Sequence, residues 1–590
     1  MNNLWDKIES HLLDVQQPSQ YIGGEVNSVV KDHETAKVKM VLAFPDTYRI
    51  GMSHWGLQIL YGVINREPDM LAERVFAPWL DMESALRKNH LPLFSLETHR
   101  ALADFDIIGF SLQHELCYTN VLAMLDLAGI PFLSRERTDE HPLIIAGGPA
   151  AFNPEPLSDF IDLFVIGDGE EKIIELLREF IRLKDQKTDR LTILKELARK
   201  ISGIYVPALY EVTYQADGTL KAFRPKEAGL SLPIKKAIVE NLDDVYYPVK
   251  PIVPFAEAVH DRITLEVMRG CPHSCRFCIS SVIKSPVRYR SVTRLLDLAE
   301  EIYKNTGYDE ISLLSLSSGD YPWLEELMVR LNARWKSKRV GISLPSLRVD
   351  ARLKGLPPII NAVRKAGFTL APEAGREALR KIISKDIMDE DLFEAVRSAY
   401  QNGWKSIKLY FMIGLPGETT EDIQAISQML KRIIAIGRET QKQMVNMNVT
   451  ISPFSPKAHT AFQWCGMESM KSLKEKQAML KSGISSRHIR LKFHSVERSF
   501  LEGVFARGDR RLAPVILAAY QGGCKFDSWD ESFDFTKWQS AFAESGVDPL
   551  FYTRPRSVEE ILPWSHIASG LSPDALIKDR NEVILSGACI

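Results

Sequence analysis

Three of the chain's seven cysteines stand in the stretch RGCPHSCRFC (269–278): Cys271, Cys275 and Cys278. A structural zinc site wants four ligands, usually as two pairs, and no second pair follows this one. Three thiolates on one loop suit a cubane iron–sulfur cluster instead, each holding one iron. The fourth iron then has no protein ligand and is open to a small molecule. Cys117, Cys465, Cys524 and Cys589 are scattered, and an odd, uneven set does not make a secreted disulfide framework. Thiols that stay reduced imply a cytoplasmic protein.

The loop follows an apolar run, ITLEVMRG (263–270), and further runs come at helix-length intervals. They are EISLLSLSS (310–318), RVGISLPSLR (339–348), FTLAPE (368–373), SIKLYFMIG (406–414) and MVNMNVTISPF (444–454). Six strands alternating with helices predict a partial βα barrel, in which ligand chemistry sits at the carboxyl ends of the strands. The cysteine loop is in that position. Upstream, VKMVLAF (38–44), DIIGFSL (106–112), PLIIAGG (142–148) and DLFVIGD (162–168) alternate with helical patterns, one from about His54 to Asn65. These predict a parallel, doubly wound Rossmann-like domain. Glycine pairs at 147–148 and 167–169 end two of its strands, and tight turns alone would also explain them. The fold class is α/β, with limits at 1–205 for the Rossmann-like domain, 206–260 for a polar connecting segment, 261–485 for the barrel and 486–590 for a mostly helical extension. Net charge is −2, so no global field calls for nucleic acid or an anionic membrane. No apolar run reaches the ~18 residues of a membrane span, and MNNLWDKIESHLLDV lacks the basic start and apolar core of a signal peptide.

Cysteines spaced three and two residues apart, with Phe277 before the last, resemble the motif of the radical SAM superfamily. The resemblance implies that S-adenosylmethionine chelates the open iron of a [4Fe-4S] cluster and is reductively cleaved to a 5′-deoxyadenosyl radical. Further segments fall in the family's order. LSSGD (316–320) resembles the segment that holds the methionine amino group, here Ser318, Gly319 and Asp320, although the usual second glycine and glutamate are replaced. APEAGREALRKIISK (371–385) resembles the stretch whose polar side chain meets the ribose, here Glu373, followed by Ala and Arg where serines are usual. FMIGLPGETTEDI (411–423) resembles the fifth-strand segment of radical SAM methyltransferases and methylthiotransferases, in which Gly414 and Gly417 let backbone approach the adenine. SPFSPKAHTAFQW (452–464) resembles the segment that closes over the adenosyl group.

IIAGGPAAFNPEPLSDFIDLFVIGDGEE (144–171) resembles the cobalamin-binding domain that precedes many radical SAM cores. Such domains usually carry an Asp-x-His loop whose histidine ligates cobalt from below. Here the loop reads PDTYRIGMSHWG (45–56), and the residue two before His54 is Met52. Either cobalamin binds with no protein ligand below cobalt, or the domain keeps only the shape. His54 and His114 are the nearest imidazoles, and packing explains each as readily as ligation. With its tail, the layout resembles large bacterial radical SAM proteins of unassigned function. The family implies a small electron donor of flavodoxin or ferredoxin type and leaves the substrate open, RNA or protein included. A cobalamin-dependent methyltransferase, a methylthiotransferase-like modifier of tRNA or protein, and a non-enzymatic iron–sulfur sensor or binding module are the alternatives. In the tail, Arg507, Arg510, Arg511, Trp529, Trp538 and Trp564 either stack on RNA bases or pack as a lid with buried tryptophans.

Overall fold

A computed structural model describes residues 4–344, 368–404, 406–441 and 445–585. Six strands form the first sheet: β1 (Val38–Phe44), β2 (Met70–Phe76), β3 (Ile107–Ser111), β4 (Leu143–Gly147), β5 (Leu163–Val165) and β6 (Ile204–Tyr205). Their order is β2-β1-β3-β4-β5-β6, parallel except for β6. Helices on both faces explain why most of these strands read as unbroken apolar runs. β2 was missed because MLAERVF carries charge at its centre. Those charges are buried and answered: Arg74 meets Glu25 at 2.8 Å and Glu97 at 2.6 Å, and Glu73 meets His33 at 2.7 Å. Because the chain leaves β1 toward β2 and returns on the other side to β3, a crevice opens between the carboxyl ends of β1 and β3, where sheets of this kind bind ligands.

The connecting segment folds as a hairpin, β7 (Tyr210–Tyr214) with β8 (Leu220–Pro225), followed by β9 (Ile234–Lys235). The barrel begins with β10 (Ile263–Glu266). A two-rung antiparallel ladder of β11 (Met268–Arg269) and β12 (Arg288–Tyr289) then closes the root of the cysteine loop. β13 (Glu310–Leu314) and β14 (Gly341–Ser343) join β10 in a parallel sheet. The helix Val292–Thr306 makes this crossover. Ser291 caps its start by accepting the Arg294 N–H, and Gly307 at φ +71° ends it. The remainder of the expected third strand, from 345 to 348, lies outside the described residues. β15 (Phe368–Glu373), β16 (Ser406–Ile413), β17 (Asn446–Pro453) and β18 (Ile489–Phe493) form a second parallel sheet. β18 is a seventh strand that the sequence reading did not anticipate. Its alternation of half-buried and exposed residues marks an edge strand rather than an apolar run.

The extension is helical, but much of it is no lid. Leu501, Val504, Leu512, Ile516 and Trp538 share one apolar core with the first domain. Asn153 donates to the carbonyls of Ala506 and Gly508 across that seam. Other parts join the barrel: Val496 lies in the barrel core, and Trp564 and Leu576 pack on Ala458 and Trp464 beyond β17. β19 (Ile567–Ala568) pairs with β9. Of the tail residues named for RNA stacking, Arg507, Trp538 and Trp564 are buried, whereas Arg510, Arg511 and Trp529 are half-buried. Arg507 is fully buried and donates to Cys465 and Arg554 carbonyls, Arg510 pairs with Glu155, and Arg511 with Asp509. The indoles of Trp529, Trp538 and Trp564 donate to Asp46, Asp527 and Gln463. Among the described residues no helix is long and apolar enough to cross a membrane.

Candidate active site

The carboxyl ends of the barrel strands carry every segment singled out from the sequence. Cys271, Cys275 and Cys278 lie half-buried on the loop after β11, with a turn closed by the Cys278 N–H on the Cys275 carbonyl. Among the described residues no three His, Cys, Asp or Glu side chains converge on a single-ion site. The donor set is nonetheless that of a cubane, in which each thiolate takes its own iron at a separate corner. The loop is braced on two sides. His273 Nε2 lies 2.7 Å from Asp320 Oδ2, tying it to the turn after β13. Ser274 meets Ser384, and the Arg276 N–H donates to the Ile383 carbonyl, tying it to the segment after β15. Phe277 packs among Ala374, Leu415, Phe454 and Phe462, at the ends of three further strands. Outside, Arg276 reaches Asp579 at 2.6 Å and Glu582 at 2.9 Å on the helix Pro573–Leu585.

Ser318, Gly319 and Asp320 form one short 3-10 turn, with Ser318 and Asp320 buried and the Ser317 hydroxyl donating to Asp320. Glu373 ends β15 at φ +68°, a left-handed conformation that costs a non-glycine residue about 1–2 kcal/mol. Lys385 holds one of its carboxylate oxygens at 2.7 Å. Gly414 (φ +81°) and Gly417 (φ +77°) make the turn after β16. The Gly414 N–H donates to Glu418, whose carboxyl is lifted to about 7 because burial outweighs the nearby Lys476. The structure thus brings all ten expected residues to one end of one barrel. His273, Arg276 and Lys385 escaped the sequence reading, although His273 and Arg276 lie inside the quoted cysteine motif.

A cavity of about 540 Å³ separates this end from the first domain. Its walls are Met40 and Leu42 of β1, Gly109 to Ser111 of β3, and Gly147, Gly148, Gly167 and Gly169 at strand ends. Opposite stand Glu266, Met268, Arg269 and Gly270, the root of the cysteine loop. His54 lines the cavity as the N-cap of the helix Trp55–Arg66, its Nδ1 accepting the Leu57 N–H at 3.2 Å. Desolvation pushes its pKa down to about 4, so the ring is neutral. With Nδ1 accepting, the proton of the neutral ring sits on Nε2, which then offers no lone pair to a metal. His114 is no N-cap donor or acceptor and lies in the turn after β3, beside buried Cys117, whose thiol donates to its carbonyl.

A family model described as "Radical SAM proteins, N-terminal" matches residues 56–207, and one described as "Radical SAM superfamily" matches residues 265–430. An uncharacterized protein of Methanocaldococcus jannaschii is 27% identical over 81% of this chain and 91% of its own length. An uncharacterized methyltransferase of Pyrococcus horikoshii is 24% identical over 56% of this chain and 65% of its own length. Among solved structures, the cobalamin-dependent S-adenosylmethionine radical enzyme OxsB with aqua-cobalamin and S-adenosylmethionine bound is similar at 13% identity. It covers 93% of this chain and 79% of its own, with a TM-score of 0.46. A [4Fe-4S] cluster and S-adenosylmethionine are the cofactors that the matched core uses, and with its cysteine loop at the strand ends this chain belongs to the radical SAM superfamily and is an enzyme of it.

Proposed function

We propose that Cys271, Cys275 and Cys278 are the cluster's protein ligands, with Phe277 packing beneath them. Ser318, Gly319 and Asp320 take the methionine end of S-adenosylmethionine, Glu373 the ribose, and the Gly414–Gly417 turn the adenine. We further propose that the cavity between the domains holds cobalamin with no protein imidazole below cobalt, making this a cobalamin-dependent radical SAM enzyme.

The observation that carries the reading is the position of the cavity. It lies at the switch point of the first sheet, has glycines where a large rigid ring must approach backbone, and ends on the cysteine loop. When bound, the cluster supplies the electron that cleaves S-adenosylmethionine. The chain's own part is to hold that molecule between the strand ends and exclude water with Phe277, Phe454 and Phe462. A relative named as a methyltransferase supports methyl transfer as the outcome. A methylthiotransferase-like second cluster finds no support, since Cys117 is the only cysteine of residues 1–205 and is buried. The enzyme needs an electron donor and a substrate, and flavodoxin or ferredoxin in a reducing cytoplasm fits thiols none of which forms a disulfide among the described residues. The limits at 205, 260 and 485 remain a working partition, with β18 arguing for a barrel that runs to Phe493.

Anaerobic reconstitution tests the reading. Wild-type protein takes up one [4Fe-4S] cluster, forms 5′-deoxyadenosine from S-adenosylmethionine under strong reductant, and retains hydroxocobalamin on gel filtration. Iron and sulfide at the wild-type level in a Cys271→Ala, Cys275→Ala, Cys278→Ala variant would overturn the ligand assignment.

A further inference from the structure

We infer that Asp168, a residue of the first domain, is a positioning residue for the cysteine loop of the barrel. The inference rests on the reading that this loop holds the cluster.

The β11–β12 ladder sets Arg269 directly opposite Arg288. Like charges facing each other across an antiparallel pair push it apart. This pair must close, because Gly270 and then Cys271 follow at once, and Gly270 at φ +96° leaves a Cβ only 2.9 Å from the Lys284 carbonyl and 3.0 Å from that of Pro286. Asp168 supplies the missing anion. One carboxylate oxygen lies 3.2 Å from Arg269 Nη1 and the other 2.6 Å from Arg288 Nη1. Glu170 and Glu266 hold the remaining donors of Arg269, at 2.6 and 2.8 Å. Lys284 stands 3.6 Å from Asp168. All but Lys284 are nearly withdrawn from water, so the charges act across a medium that screens them weakly.

The anion is itself fixed in place. The Asp168 N–H donates to the Ala237 carbonyl at 2.9 Å, and the Val239 N–H donates to the carboxylate at 3.1 Å. Gly167 before it sits at φ +107°, and a Cβ there would lie 2.2 Å from the Ala237 oxygen, so the turn can shift little. The first domain therefore reaches across the seam and holds the ladder shut, two residues before the first cysteine.

The test uses reconstituted full-length enzyme and reads the cluster directly. An added electron makes the cluster more negative, so surplus positive charge at the root of its loop favours the reduced form. Asp168→Asn is expected to raise the midpoint potential in an EPR-monitored titration and to speed iron release to bathophenanthroline by roughly a hundredfold or more, as expected when one partner of a buried ion pair is removed. Arg288→Gln lowers the potential, and the double variant, whose charge balance is restored, returns toward wild type. Glu170→Gln removes one anion from Arg269 but leaves Asp168 bridging the two arginines, and shifts the potential in the same direction as Asp168→Asn, by less. That variant keeps the test open if Asp168→Asn takes up no iron. Wild-type potential and release rate in both carboxylate variants would overturn the inference, as would a double variant further from wild type than either single one. A wild-type protein that binds no cluster would instead defeat the ligand assignment on which it rests.

Discussion

His54 is where cobalt chemistry and helix capping compete for one imidazole. As N-cap it accepts the Leu57 N–H on Nδ1, which places the proton on Nε2. Ligating cobalt through Nε2 would require moving that proton to Nδ1, and so losing the cap. A cap of this kind is worth about 1 kcal/mol, with Asn among the best substitutes and Ala among the poorest. In His54→Ala the first turn of Trp55–Arg66 opens about fivefold more often, an effect that hydrogen exchange of its first-turn amides reads directly. In His54→Asn the protection returns. The Co(II) spectrum of bound cobalamin is expected to be the same in all three proteins, without nitrogen splitting from an axial imidazole. A wild-type spectrum that shows this splitting and loses it in His54→Asn would refute the reasoning, because the ring would then be ligating and not capping.

Three further outcomes follow from the barrel end. His273→Ala removes one partner of Asp320 and should weaken S-adenosylmethionine binding by about 1–2 kcal/mol, roughly tenfold, with iron content unchanged; iron lost in step with affinity would show that His273 serves the cluster instead. Gly414→Ala meets a left-handed φ of +81° and a Cβ 2.8 Å from Leu473 Cδ2, so denaturant titration should show a loss of about 2–4 kcal/mol, and a loss below 1 kcal/mol would show that the turn has room to relax. Arg276→Ala breaks contacts to Asp579 and Glu582, and hydrogen exchange across Pro573–Leu585 should rise while exchange in β10 and β13 does not; unchanged exchange in that helix would show that apolar packing of Leu576 and Val583 is enough to hold it.

The cysteine spacing, the strand runs and the order of the segments around Asp320, Glu373 and Gly414 were legible in the chain, because each is a local pattern. A buried parallel strand must be apolar, and a cluster loop must bring its thiols close in sequence. β2 and β18 were not legible, since one buries charge against partners far along the chain and the other is a half-exposed edge. The loss of the motif histidine was plain from Met52, but only the fold showed what His54 does in its place. The cavity, the bridging of Arg269 and Arg288 by Asp168, the burial of Arg507 and the pairing of Arg510 with Glu155 were decided by the tertiary structure alone. Their physical reason is common to all: a polar contact or a cavity wall joins residues far apart in the chain, and no periodicity in a sequence records which partner a charge will meet.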